Sequence, residues 1–376
     1  MQARATFPRI LYVSLMLCTG LSLAGCGQFF VPETTNPTGS GDYFYVANTT
    51  TTSVTGFSVG TTNLTNTSNS PYSLGVAPSG LAVTPSGSYI YVATLAGAIY
   101  GYSVGNGGVL TLLNSGSPLV TGISPVAVAV DPSGKWLLAV DLTPAAYVFA
   151  INSSTGGLTQ QGNSVTLDAG APNHIVFTPN NSLVYISLGT GGVDICAFSS
   201  GSGVLVKTNQ ILKPKATNNA DQGLAVDPAS KYLFVAETGV NGVRVLSIAT
   251  TGALTELTGS PYSTGLGPSG VIVDSTGSYV YVANRTDGTV SAFTLATTGS
   301  LTAITGSPFS TGTQPTDLTE DTADKTHIGV ACTGGTPDFQ VFTIGSSTST
   351  TPGALTSFAS STASSPTGAF AVVAAD

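Results

Sequence analysis

From about residue 41 to its last residue the chain repeats itself, and this repeat limits the possible folds more than any other feature. The unit is clearest at Pro268–Gln314, PSGVIVDSTGSYVYVANRTDGTVSAFTLATTGSLTAITGSPFSTGTQ. Units open at Pro78, Pro125, Pro172, Asp221, Pro268 and Pro315, about 47 residues apart, and a partial one opens at Pro366. A fixed period of that size denotes an array of identical supersecondary units. Within one unit we expect strands at Gly270–Asp274, Tyr279–Ala283, Thr289–Leu295 and Leu301–Thr305, with tight turns at Ser275-Thr276-Gly277 and Thr297–Gly299.

Four short antiparallel strands per unit predict an all-β propeller blade. The ends sharpen this. Gly41–Ala77 is a unit without its opening strand, and Pro366–Asp376 is an opening strand without its unit. The C-terminus is therefore expected to complete the N-terminal blade, which closes a ring of seven and removes its edges. Composition agrees. Hydrophobic residues make up 41% of the chain, enough for a large core, and 46 glycines punctuate the apolar segments. Long helices would need more Ala, Leu, Glu and Lys.

Residues 1–25 have the pattern of a secretory signal peptide: Arg4 and Arg9, then an apolar run from Ile10 to Leu23. The run ends in Leu23-Ala24-Gly25-Cys26, which resembles a bacterial lipobox and makes Cys26 the expected lipidation site. Residues 26–40 are then a short tether and 41–376 the propeller. The expected product is an exported, monomeric lipoprotein of the cell envelope, attached to a membrane through its lipid. A formal charge of −8 without a basic patch argues against nucleic acid. Cys196 and Cys332 fall three blades apart and are expected as buried thiols.

Tyr279-Val280-Tyr281-Val282-Ala283-Asn284 and Tyr43-Phe44-Tyr45-Val46-Ala47-Asn48 resemble the YVTN-type propeller repeat. Over 41–376 the chain is similar to the seven-bladed lactonase superfamily, which includes 6-phosphogluconolactonase-like proteins. Such a fold hosts binding, scaffolding and catalysis alike.

Two repeat positions are expected at the channel mouth. One is the pair after the opening residue. Its second member carries Asn173, Gln222 and Thr316. Its third is small in most blades but is His174 in blade four and Asp317 in blade seven. The other closes the second strand: Asn48, Thr94, Asp141, Leu188, Glu237, Asn284 and, roughly, Ala331. Asp141 and Glu237 lie in the blades flanking His174. A His between carboxylates can act as base or acid, so His174, Asp141 and Glu237 are the catalytic candidates. Asn173, Gln222, Asn284, Arg285, Asp317 and Asn48 are the ligand-binding candidates. His327 is expected to be structural, with no carboxylate neighbour implied by the repeat.

The resemblance implies an Arg-His pair opening one blade; here Pro172-Asn173-His174 keeps the His and replaces the Arg. It also implies an Asp-Leu-Gly step, matched in Asp141-Leu142 but not in the Gly. Glu237 is similar to a family Glu but falls one blade late. Only Arg285 supplies a cation at the mouth, too little for a phosphosugar. Two readings follow. The first is a binding scaffold for a glycan, small-molecule or protein partner. The alternative is a hydrolase that opens a non-phosphorylated sugar lactone or related ester with His174 as base. No cofactor or metal-ligand motif is recognisable, and a structural cation at the channel is left open.

Overall fold

The computed structural model describes residues 42–216, 219–335, 337–358 and 367–376. The leader, the tether and Cys26 lie outside them. The described residues form seven antiparallel sheets, each with four strands in chain order, except that the first takes its innermost strand from the C-terminus. Ala369–Ala375 pairs with Tyr43–Asn48, so blade one joins both ends of the domain. The innermost strands touch in a closed cycle. In five blades a further two-residue strand, such as Tyr262–Ser263, pairs with the start of the third strand.

The second strand is apolar on both faces. In blade six Tyr279–Asn284 is buried along nearly its whole length. Val280 and Val282 pack with Phe234 and Ala236 of blade five. Tyr281 and Ala283 pack with Ile328 and Val330 of blade seven. Alternate side chains thus enter two different inter-blade cores, because the sheet is sandwiched between its neighbours. Seven such clusters, one per interface, hold the described residues together.

The recurrent tyrosine of the motif has a specific task. Tyr45, Tyr91 and Tyr281 donate their hydroxyls to Gly108 O, Gly156 O and Gly353 O in the next blade, at 2.8–2.9 Å. Burial raises the pKa of all three phenols, so they stay protonated donors. Asp-Pro turns between first and second strands are held by the aspartate's own carboxylate. Asp131 Oδ1 accepts Lys135 N and Trp136 N, each at 2.8 Å. Cys196 and Cys332 are free and buried.

The register corrects two sequence assignments. Ala369 pairs with Asn48 and Ala371 with Ala47, as Pro268 pairs with Asn284 and Gly270 with Ala283. The opening residue of blade one is therefore Ala369, not Pro366, and its second and third positions are Phe370 and Ala371. In blade seven Pro315 pairs with Cys332, so Cys332, not Ala331, closes the second strand.

Candidate functional site at the central channel

In six blades the register shifts near the start of the inner strand, between its first and third positions in five of them and between Asp221 and Leu224 in blade five; the blade-four strand pairs from His174 without a shift. Such a shift turns the second side chain to the mouth and sends the third along the ring toward the next blade. Crowding there demands small residues. A Cβ on Gly223 would lie 2.7 Å from Gly270 Cα and 2.8 Å from Ser269 O. His174 and Asp317 fill this position and reach the neighbouring strand in the same way. His174 Nδ1 accepts Leu224 N of blade five at 3.4 Å. Asp317 Oδ2 accepts Val372 N of blade one at 3.0 Å, and its Oδ1 accepts Leu318 N at 2.9 Å. Leu224 and Val372 are equivalent fourth positions of their strands.

Both side chains line a cavity of 190 Å³ on the axis, with Asn173, Gln222, Ser79, Ser269, Thr316, Arg285 and Phe370. Both also line a second cavity, of 210 Å³, walled by Val176, Leu224, Val226, Val271, Val273 and Leu318. They stand at the waist between a polar mouth and an apolar passage. Burial pushes His174 down to about 4, so the ring is neutral near physiological pH. With Nδ1 accepting, the ring proton is assigned to Nε2. Burial pushes Asp317 up to about 6, against the two N–H bonds that favour its anion.

At the mouth, Asn173 Nδ2 donates to Gln222 Oε1 at 3.3 Å, and Ser187 Oγ donates to Asn173 Oδ1. Arg285 is exposed, and the ion pairs among the described residues leave it unmatched. It also borders an outer groove of 510 Å³ with Gln222, Thr238, Asn241, Ser269 and Thr286.

Residues that close the second strand sit elsewhere. Their side chains turn back onto their own blade and latch it. Asn48 Nδ2 donates to Thr55 Oγ1 at 2.8 Å, and Asn284 Nδ2 to Ser291 Oγ at 2.9 Å. Asp141 accepts Ser124 N at 3.0 Å and both Thr143 N and Thr143 Oγ1, at 2.6 and 2.7 Å. Glu237 is fully buried and pairs with Arg244 Nη1 at 2.7 Å. None of the four lines the axial cavity. The structure thus gathers His174, Asp317, Asn173, Gln222 and Arg285, and keeps Asp141, Glu237, Asn284 and Asn48 apart from them. Phe370 was missed because the register of the closing strand hid it. Ser79, Ser269 and Thr316 were readable as second-position residues but carried no distinguishing chemistry.

Residues 34–316 match the family model described as Lactonase, 7-bladed beta-propeller. The chain belongs to this family. No curated protein matches the lactonase-family chain as a relative. Solved structures share its fold. A putative 6-phosphogluconolactonase from Bacteroides fragilis is 19% identical, with a TM-score of 0.72 over 92% of this chain and 100% of that one. The periplasmic gluconolactonase of Pseudomonas aeruginosa is 15% identical, with a TM-score of 0.66 over 89% of this chain and 99% of that one. A Lactobacillus plantarum protein is 20% identical, with a TM-score of 0.70 over 89% and 99%. At these identities the lactonase-family likeness to solved structures speaks to architecture alone.

Proposed function

We propose that the channel mouth opens a neutral sugar lactone by hydrolysis. One observation carries this reading: an acid raised to about 6 and a neutral imidazole share one axial cavity beneath a single arginine. Asp317 keeps carboxylate lone pairs beyond its two N–H bonds, so it can take a proton from water as that water attacks the carbonyl carbon. Nε2–H of His174 can donate to the oxyanion as it develops. Arg285, Asn173 and Gln222 can hold ring hydroxyls in the outer part of the cavity. This reverses the roles expected from sequence, where His174 was the base with Asp141 or Glu237 orienting it. A lone exposed arginine suits a neutral lactone better than a phosphorylated one. The description of the family to which the chain belongs, Lactonase, supports the reaction class.

The test is a panel of neutral γ- and δ-lactones, followed by proton release. Wild type is expected to exceed the buffer rate, with an acid limb in kcat/KM near pH 6, because only ionised Asp317 can act as base. Asp317→Asn is expected to lower kcat/KM by about 10²–10⁴-fold. Equal rates in the variant and wild type would overturn the assignment.

A second reading, a sugar-binding face without chemistry, rests on the backbone N–H groups that both side chains already hold. Lactones that bind the mouth but are never opened would favour it. On either reading we infer an exported domain lipidated at Cys26, supported by the lipobox-like run Leu23–Cys26. Cys26→Ser, expressed in a bacterial host, is expected to move the protein from the membrane pellet to the soluble fraction. Retention in the pellet would contradict that anchor.

A further inference from the structure

In six blades the second strand opens with an apolar or aromatic residue that packs on a glycine turn of the next blade. Tyr43 meets Gly108, Tyr89 meets Gly156, Trp136 meets Gly203, Leu183 meets Gly252, Tyr232 meets Gly299, and Tyr279 meets Gly353. Blade seven breaks the series with His327. Its Nδ1 lies 3.0 Å from Asp321 Oδ2 and 3.7 Å from Asp324 Oδ1. This corrects the expectation that His327 has no acidic neighbour. One ligand atom from each of the three residues lies within 4.8 Å of the others. Atoms around one Zn²⁺, bound at about 2.0–2.2 Å, are at most about 4.4 Å apart, so the group is near coordination spacing.

A second observation comes from across the seam. Asp42 of blade one is 1% exposed. Its Oδ1 accepts Ala323 N at 2.9 Å, which holds the carboxylate against the Asp321–His327 turn. Its Oδ2 is buried with no hydrogen-bond partner. A buried, unpaired carboxylate oxygen is costly. Asp321 and Asp324 meet the imidazole while Asp42 lies behind their turn, and burial raises the pKa of Asp42 and Asp321. Phe358 meets the His327 ring edge-on at 4.9 Å and fixes its orientation.

We propose that Asp321, Asp324 and His327 form a site for a divalent transition cation, Zn²⁺ by preference, backed by the buried carboxylate of Asp42 from blade one. The imidazole nitrogen favours Zn²⁺ over an all-oxygen cation, and the carboxylates supply the compensating charge. An ion here would sit in the last blade, against the first residues of the propeller.

Zn²⁺ titration of chelator-treated full-length protein, read by calorimetry and thermal unfolding, tests the proposal. Wild type is expected to bind one Zn²⁺ and to unfold at a higher temperature with the metal. Asp324→Asn and His327→Tyr are expected to lose more affinity than the roughly 10–100-fold that follows loss of an outer-sphere partner. His327→Tyr installs the residue used by most other blades. If it does not fold, Asp324→Asn, at an exposed position, decides the question. No saturable binding to wild type, or equal affinity in the variants, overturns the site. Tight Ca²⁺ binding without Zn²⁺ binding overturns the transition-metal assignment.

Discussion

Deleting Thr367–Asp376 is expected to destroy cooperative unfolding and leave a chain that aggregates. The removed strand supplies the inner partner of Tyr43–Asn48 along its whole length. Its Ala369, Val372, Ala374 and Ala375 are each at most 4% exposed. Without them blade one presents an unpaired apolar edge around Phe44, Tyr45 and Val46, which are fully buried in the intact ring. Such an edge is a template for association. Full burial of one such side chain is worth roughly 1.5–3 kcal/mol, so uncovering several consumes much of a net stability of about 5–15 kcal/mol. Thermal unfolding and size-exclusion chromatography check this, and a peptide spanning 367–376 added in trans should recover part of the transition. A monodisperse truncation with wild-type melting would show that the ring does not depend on its closure.

Glu237→Ala is expected to cost about 3–5 kcal/mol of stability, because it strands a buried guanidinium. Arg244 is 5% exposed and contacts Glu237 at 2.7 Å and Glu256 at 3.1 Å. Its Nη1 also donates to Lys213 O at 2.9 Å. Glu256 and that carbonyl cannot replace the lost buried charge. Replacing both partners, as in Glu237→Leu with Arg244→Met, should recover much of the loss, since buried pairs are often matched by apolar packing. Urea unfolding of the single and double variants measures both effects. A Glu237→Ala protein of wild-type stability that has lost only lactone opening would return Glu237 to the catalytic group.

The blade number and the closure were legible because both follow from a period and from complementary ends. So were His174 and Asp317, which stood out as large residues where inner strands require small ones. The closing positions of the second strands are held by partners on the third strand of the same blade, such as Thr55 and Ser291, and the residue type at those positions does not reveal that partner. Asp141 and Glu237 carry the residue types of a catalytic dyad, yet their hydrogen bonds serve a turn and an ion pair. The acidic seam was hidden for a different reason. Asp42 and His327 stand at opposite ends of the domain in sequence, and only ring closure brings them together.

That closure also orders folding in time. Among the strands of the propeller Tyr43–Asn48 is made first and its partner Ala369–Ala375 last, so one sheet cannot be completed until the whole ring has been synthesised. Pairings this distant in sequence form slowly. Blades two to seven each draw all four strands from one contiguous stretch and can assemble as the chain appears. The first strand must wait with an unpaired edge. A propeller built in this way is most exposed to misassembly in the interval just before its closing strand arrives.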